Sequence, residues 1–188
     1  MPATGPSPLI AAGEPSPPVV FAEVYTEHMA FVWRSLRRLG ISERDLDDVC
    51  QEVFVIVHRK LATFDASGQL RTWLFGIARR VAADHRKRAH VRREELALPS
   101  ELDANQARPS DEAPPLELAR ARAVLDEILD ELDEAKRAVF VLFELEEMPM
   151  SEVAQAVECP LQTAYSRLAA ARKQVESAVR RRQLGGVP

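Results

Sequence analysis

Apolar residues return at helical spacing along most of the chain that follows Phe21. Residues at i, i+3, i+4 and i+7 share one face of an α-helix, so this spacing indicates amphipathic helices that pack on one another. No segment between turn signals alternates β-branched and polar residues, which argues against strands. The pattern predicts an all-α fold with helices over Phe21–Leu39, Glu43–Leu61, Leu70–Val91, Leu116–Leu132, Glu134–Glu147, Ser151–Val157 and Leu161–Arg182.

A proline-rich stretch interrupts this pattern between the third and fourth helices. Pro99, Pro109, Pro114 and Pro115 exclude a continuous helix there, and the composition turns acidic. The first twenty residues hold six of the thirteen prolines and lack the features of a secretory signal. The predicted organisation is a disordered leader at 1–20, a helical bundle at 21–92, a flexible acidic linker at 93–115, a second small helical domain at 116–184 and a tail at 185–188.

Composition narrows the class of protein. Of the 188 residues, 46% are apolar and 29% charged, and nothing marks a membrane span or a fibre. The two cysteines, Cys50 and Cys159, suit unpaired thiols in a reducing cytoplasm. The four histidines show no metal-ligand spacing, and no phosphate-binding glycine loop or activated nucleophile is recognisable. We therefore expect no metal, no cofactor, no catalytic residue and no membrane contact by the chain itself.

Charge is segregated along the chain, although the formal net charge is only −4. Residues 69–93 carry eight basic side chains against one acidic, and 161–183 carry six against one, whereas 94–147 hold sixteen acids against five bases. One basic surface in each domain suits a long polyanion that contacts both domains. Solvated faces that only aid solubility are the alternative for each surface taken alone.

The first basic surface belongs to the segment RTWLFGIARRVAADHRKR. An apolar stripe that would dock on the first two helices is formed by Leu70, Trp73, Leu74, Ile77 and Val81. The basic side chains lie mostly off that stripe. The preceding FDASGQ can form a loop at the N-terminal end of the helix, and a loop beside a basic helix suits single-stranded nucleic acid. Trp73 fits either a core position or a stacking platform for a base.

The second basic surface follows a helix-turn-helix pattern. A short helix with Val153, Ala154 and Val157 inward is predicted to end near Glu158, and Pro160 suits the first turn of the next helix. The inward positions predicted on that next helix are Leu161, Ala164, Leu168 and Ala171. Its outward face carries small hydrogen-bonding residues first and bases further along, which suits a DNA major groove. A plain α-hairpin is the alternative.

These stretches resemble the extracytoplasmic-function (group IV) sigma factors, which give bacterial RNA polymerase its promoter specificity. DLDDVCQEVFVIVHRKLATFD and LRTWLFGIARRVAADHRKR resemble their region 2, and VFVLFELEEMPMSEVAQAVECPLQTAYSRLAAARKQV resembles their region 4. The resemblance covers roughly Phe21 to Arg182. It implies a protein that binds core RNA polymerase, recognises the −35 and −10 promoter elements and promotes DNA opening for transcription initiation.

The resemblance also implies three sets of site residues. In the family an acidic face of the second helix docks on the clamp helices of the polymerase β′ subunit, and the matching residues here are Asp48, Gln51 and Glu52; a solvated acidic face is the alternative. A base flipped out of the −10 element, with its strand phosphates, would be held by Phe64, Asp65, Ser67, Gly68, Gln69, Arg79, Arg80, Asp84 and Arg88. The −35 element would be contacted by Gln162, Thr163, Tyr165, Ser166, Arg167, Arg172 and Lys173.

Departures from the family pattern fall in the same regions. Many relatives have glycine where this chain has Glu147 and Glu158. If the turn at Glu158 requires a positive φ, glutamate is strained there by about 1 kcal/mol. Tyr165 and Arg80 stand where relatives often have lysine and asparagine, so no relative's promoter sequence can be transferred to this chain.

The resemblance further implies a cytoplasmic protein held inactive by an anti-sigma factor that covers the same surfaces. The acidic linker, an anion like RNA, would occupy a basic nucleic-acid path in the polymerase, a hypothesis that fails if neutralising its acids leaves initiation unchanged. Two alternatives remain from the residues. A stand-alone helix-turn-helix repressor would bind duplex DNA unaided, and a helical adaptor that binds only proteins would show no salt-dependent affinity for DNA.

Overall fold

The computed structural model describes residues 20–65, 69–96 and 116–185. Every regular element in these ranges is helical, which confirms the predicted all-α fold. The elements are α1 (Phe21–Arg38), α2 (Glu43–Lys60), a 3₁₀ turn (Leu61–Thr63), α3 (Leu70–Leu96), α4 (Leu116–Asp130), α5 (Glu134–Phe140), a π-helical segment (Val141–Leu145), α6 (Met150–Ala156) and α7 (Leu161–Gly185). The predicted leader up to residue 19, the linker from 97 to 115 and the tail from 186 lie outside the described residues.

Two helices are longer than the hydrophobic periodicity predicted. α3 continues to Leu96, into the segment predicted as linker, and α7 continues to Gly185. The added residues are mostly charged or polar, so the apolar pattern gave no reason to extend either helix. The position of the domain boundary stays a prediction.

α1, α2 and α3 pack as a three-helix bundle around an apolar core. Leu36 of α1, Val53 of α2 and Leu74 of α3 are fully buried in it. The predicted stripe on α3 is buried at Leu74, Ile77 and Val81, and Leu70 and Trp73 pack against the core at its edge. Phe75, off the stripe, is fully buried too. α3 therefore buries more than one face, because it packs against α6 of the second domain as well as against α1 and α2.

The turn between α1 and α2 requires glycine. Gly40 has φ +88°, a left-handed conformation that residues with a Cβ seldom adopt. A Cβ on Gly40 would lie only 2.5 Å from Nη1 of Arg137, a buried side chain of α5 that also pairs with Asp130 at 2.9 Å. The Arg137 guanidinium of the second domain thus packs directly against the backbone of the first domain at Gly40.

α6 and α7 form the predicted helix-turn-helix. Val153, Ala154 and Val157 are buried, as are Ala164, Leu168 and Ala171 on α7. Leu161 was predicted to face inward, and this is wrong, since 48% of it is exposed. It is the first residue of α7, which starts beyond the end of α6, so no packed helix covers it. Pro160 lies just before α7, where its carbonyl accepts the Ala164 N–H at 3.0 Å.

The helix predicted over Glu134–Glu147 is in fact α5 followed by the π-helical segment. A π turn holds an extra residue, which changes the direction of the side chains that follow it. Glu147, two residues after this segment, lies in the left-handed region at φ 53°. This geometry buries Glu146 while Glu147 stays exposed. In the ranges that the structure covers, no helix combines the length and apolar character needed to cross a bilayer.

Candidate polymerase and nucleic-acid interfaces

The acidic residues of α2 share one surface. Asp48 and Gln51 are exposed, Glu52 is half-exposed, and all three line a shallow groove with Val55 and Arg59. Their spacing of three and four residues places them on one side of the helix. Glu52 accepts a hydrogen bond from Arg88 of α3 at 3.1 Å, which links this surface, the α2 face, to the basic helix.

An apolar groove between α1 and α2 continues the α2 face. Tyr25 and Met29 of α1 and Val55 of α2 are 46%, 40% and 43% exposed along it. Aromatic contacts line its floor, including Tyr25 against Phe54 with ring centroids 4.8 Å apart. Cys50 lies there as well, and burial raises the pKa of its thiol to about 11. Sequence reasoning missed this groove, although its signal was present as apolar residues on both sides of α1.

The loop that precedes α3 is only partly described. The Phe64 ring packs on Trp73, with centroids 5.0 Å apart and planes at 45°. Trp73 is half-buried against the core, so it serves as a core residue that also supports the Phe64 ring. Asp65 and Gln69 are exposed at the two ends of the loop, whereas Ser67 and Gly68 lie outside the described residues.

Three arginines of α3 contact acidic residues of the second domain. Arg79 lies 3.5 Å from Glu158 and 3.7 Å from Glu134, and Arg80 forms a hydrogen-bonded ion pair with Glu158. Arg86 pairs with Glu134 at 3.0 Å and also donates to the Leu39 carbonyl at 2.7 Å. These carboxylates belong to α5 and to the helix-turn-helix turn. Asp84 and Arg88 are exposed beyond this contact.

The predicted DNA-reading end of α7 is open to solvent. Gln162, Tyr165 and Ser166 are exposed, and the Ser166 hydroxyl donates to the Gln162 carbonyl at 3.0 Å. Thr163 and Arg167 flank them and are half-buried. The three exposed side chains follow a spacing of three and four residues, so they form one face at the N-terminal end of the helix.

The two phosphate candidates on α7 differ in their surroundings. Arg172 is held by Glu144 of the π-helical segment at 2.6 Å, and its guanidinium lies 5.6 Å from the centre of the Phe143 ring. Lys173 is exposed. The C-terminal end of α7 is fixed separately, since Arg182 pairs with Glu131 at 2.8 Å and thereby lowers the pKa of that carboxyl.

The turn between α6 and α7 has the positive φ at Glu158 that would strain a glutamate. Glu158 has φ 53°, in the left-handed region where glycine is favoured. Its carboxylate reaches across to Arg79 and Arg80 of the first domain. Glu158 therefore makes contacts that a glycine at this position could not make.

Glu146 is the polar centre of the contact between the domains, and the sequence analysis did not identify it. Its side chain is only 4% exposed, and its carboxylate faces Arg71 at 2.8 Å, Arg34 at 3.7 Å and Arg38. Arg71 also lies 4.5 Å from the centre of the Phe31 ring. A second pair nearby joins Arg37 to Asp126 at 2.9 Å.

Burial shifts the pKa of several groups along this contact. It lowers the pKa of Arg38 and of Arg137, although Glu146 and Asp130 respectively oppose the shift. It raises the pKa of Asp126 against the pull of Arg37. These shifts share one cause, because each charge has left water for the contact between the domains. Among the described residues, no group of three or more His, Cys, Asp or Glu side chains could hold a metal ion.

Comparison with protein families matches both halves of the chain in order. Residues 24–92 match the family model for Sigma-70 region 2, and residues 122–175 match that for Sigma-70 region 4. The first match contains α2, the loop and most of α3, and the second contains the helix-turn-helix. A stand-alone repressor or a helical adaptor would account for only part of this arrangement.

Individual relatives agree with the family models. The RNA polymerase sigma factor NccH of Alcaligenes xylosoxydans xylosoxydans is 27% identical over 172 residues, which cover 87% of this chain and 89% of that protein. The ECF RNA polymerase sigma factor SigE of Mycolicibacterium smegmatis is 28% identical over 173 residues, covering 92% of this chain and 66% of that protein. The structure of the sigma factor RpoE from Bartonella quintana, solved with the anti-sigma factor NepR, shares the fold with a TM-score of 0.69, at 18% identity over 85% of this chain and 96% of that one.

Both sigma-70 regions are thus present in one chain, with region 2 before region 4. Such subunits bind core RNA polymerase and promoter DNA, and they are not enzymes. The chain belongs to the sigma-70 family, as an extracytoplasmic-function sigma factor of RNA polymerase.

Proposed function

We propose that this sigma factor docks on the β′ clamp helices of the polymerase through the α2 face. Asp48, Gln51 and Glu52 are accessible together on one groove, and the apolar groove beside them adds Tyr25 and Met29. A polar rim beside an apolar strip suits a helical partner, since the strip supplies buried area and the charges fix orientation and speed association. The observation that carries this proposal is the location of the three predicted residues on one accessible surface.

The docking proposal is tested by gel filtration with core RNA polymerase. The double variant Asp48→Arg, Glu52→Arg should lose co-elution, while the wild type co-elutes. A control variant, Glu117→Arg, Glu176→Arg, makes the same change in net charge at exposed acids of α4 and α7 and should still co-elute. Co-elution of the α2 variant with wild-type efficiency would refute the assignment. Binding of duplex DNA without any binding of polymerase would instead favour a repressor.

The loop before α3 captures a base from the opened −10 element. Phe64 is supported from below by Trp73, and Asp65 and Gln69 flank the loop, to which Ser67 and Gly68 belong. Extruding a base from a duplex costs a few kcal/mol of free energy, which stacking on the protein and hydrogen bonds to the base edge must offset. Arg79, Arg80, Asp84 and Arg88 support the strand beyond the flipped base. Stacking on an aromatic side chain contributes about 1–3 kcal/mol per base, enough to offset much of that cost.

The N-terminal end of α7 enters the major groove of the −35 element. Gln162, Thr163, Tyr165, Ser166 and Arg167 contact base edges and backbone there. Arg172 and Lys173 follow along the helix and contact phosphates. Arg172 must exchange Glu144 for a phosphate when DNA arrives. That exchange keeps the guanidinium paired in both states, so its cost is small.

Control by an anti-sigma factor and a cytoplasmic location complete the proposal. The related RpoE structure contains an anti-sigma factor, NepR. We expect a partner of this kind to cover the surfaces proposed here to bind polymerase and DNA. The chain has no chemistry of its own in this scheme, and bond formation belongs to the polymerase. Pull-down of an anti-sigma partner by the wild type, by Asp48→Arg, Glu52→Arg and by Gln162→Ala would identify the surfaces that such a partner uses.

A further inference from the structure

Arg172 of α7 contacts two neighbouring side chains of the π-helical segment. Its Nε donates a hydrogen bond to the Glu144 carboxylate at 2.6 Å, and its guanidinium carbon lies 5.6 Å from the centre of the Phe143 ring. A guanidinium within about 6 Å of a ring centre is attracted to the electron density of the ring face. Two different contacts, one ionic and one aromatic, therefore hold this one cation.

The π turn explains how two adjacent residues reach the same side chain. Successive side chains of an α-helix are separated by about 100° around the helix axis, so neighbours usually face different surfaces. A π turn holds an extra residue, which narrows that angle. Phe143 and Glu144 are both half-buried within the segment, and both contact Arg172. The segment thus presents a ring and a carboxylate side by side to α7.

The two contacts respond differently to a DNA phosphate. The carboxylate accepts from an N–H donor that a phosphate oxygen can take over. The ring contact uses no N–H donor, so it persists while the guanidinium binds a phosphate. Phe143 packs against the buried core, which fixes its ring, whereas the Arg172 side chain is 54% exposed. A fixed ring beside an exposed, long side chain reduces the conformational entropy that this side chain loses when it binds DNA.

We propose that Phe143 is a positioning residue for the −35 contact, because its ring holds the Arg172 guanidinium in place for a DNA phosphate once Glu144 has released it. This role rests on the proposed function, in which Arg172 contacts a phosphate. The two neighbours then act in opposite directions, since the carboxylate competes with the phosphate and the ring supports its binding. Of the two phosphate candidates on α7, only Arg172 has such a ring contact in the described part of the chain, so Lys173 serves as the matched comparison.

The test measures binding of the assembled holoenzyme to a labelled duplex fragment that carries the −35 element of a promoter selected by the wild-type holoenzyme. Fluorescence anisotropy is recorded at several salt concentrations. Phe143→Leu removes the ring and should bind about twofold to fivefold more weakly than the wild type. Phe143→Tyr keeps the ring and should bind as the wild type does. Glu144→Gln should bind about twofold more tightly, since the phosphate no longer competes with a carboxylate for Arg172.

Double-mutant cycles separate positioning from a purely structural role. The loss caused by Phe143→Leu should disappear in an Arg172→Ala background and persist in a Lys173→Ala background. An equal loss in all backgrounds would show that Phe143 only stabilises the domain, and it would overturn the positioning role, as would unchanged affinity of Phe143→Leu. If circular dichroism shows that Phe143→Leu is unfolded, Phe143→Met replaces it with the same expectation, because methionine fills similar space without a ring.

The same measurements distinguish this failure from failure of the proposed function. Arg172→Ala should weaken binding and reduce the slope of log affinity against log salt by about 0.9, the effect of one lost phosphate contact. If Arg172→Ala changes neither quantity, the proposed phosphate contact is refuted and the positioning role falls with it. If Arg172→Ala has the expected effect while Phe143→Leu has none, the phosphate contact stands and the positioning role alone fails.

Discussion

Replacing Glu147 or Glu158 by glycine should separate backbone strain from ion pairing in the second domain. Both residues have φ 53° and both are exposed. The left-handed conformation costs a residue with a Cβ about 1–2 kcal/mol, and glycine is free of that cost. Glycine also increases the entropy of the unfolded chain, which offsets about 0.4–1 kcal/mol of the gain. The net change for Glu147→Gly is a stabilisation of about 0.5–1 kcal/mol.

Glu158→Gly receives the same backbone gain but loses the contacts with Arg79 and Arg80. Exposed pairs of this kind contribute up to about 1 kcal/mol, so the net effect of Glu158→Gly should be close to zero. Differential scanning calorimetry measures both changes, because about 1 kcal/mol shifts the melting temperature of a chain this long by about 2–4 °C. A lower melting temperature for Glu147→Gly would refute the strain argument. Equal gains for both variants would show that the Glu158 pairs contribute nothing.

Two further predictions concern the α1–α2 turn and the DNA surfaces. Gly40→Ala should destabilise the protein by about 2 kcal/mol in thermal unfolding, because alanine would be strained in the left-handed conformation and would displace Arg137. The control Gly76→Ala should stabilise it by about 0.5 kcal/mol, since Gly76 is helical and the added Cβ would meet a carbonyl oxygen at 3.7 Å. Equal effects of the two substitutions would contradict this account. The second prediction concerns promoters selected from a random library by the holoenzyme assembled with each variant. Gln162→Ala should change only the preferred −35 sequence, and Gln69→Ala should change only the preferred −10 sequence. A change in the other element would count against the assignment of that residue.

The helices were predictable because each one carries its own apolar face. The periodicity of residues such as Leu74, Ile77 and Val81 is a local signal, and it placed most helices to within a few residues. Leu161 shows the limit of that signal. Leu161 lies on the same side of α7 as the buried Ala164 and Leu168, but it is exposed because α6 ends before it can cover this first residue of α7.

The contact between the domains was not predictable by the same means. Glu146 ends an apolar run and looks, in sequence, like any exposed acid at the end of a helix. Its burial depends on a π turn and on arginines more than seventy residues away. The charge blocks show a basic segment in each domain and an acidic segment between them, but nothing in the sequence pairs the acids of 94–147 with the arginines of α3. Pairings across long sequence separations leave no periodic trace.

The length of α7 has a consequence for how accurately the second domain must be held. Its 25 residues span about 37 Å, with the side chains proposed to read DNA at one end and the Arg182–Glu131 pair near the other. A tilt of about 5° about that pair would move the other end of the helix by about 3 Å, close to the rise of one base pair. Ala164 and Leu168, near the proposed reading end, are buried and oppose such a tilt. On the proposed assignment of the −35 residues, the packing of α7 on α5 and α6 together with its pairing to α4 sets the tolerance for distinguishing one promoter register from the next.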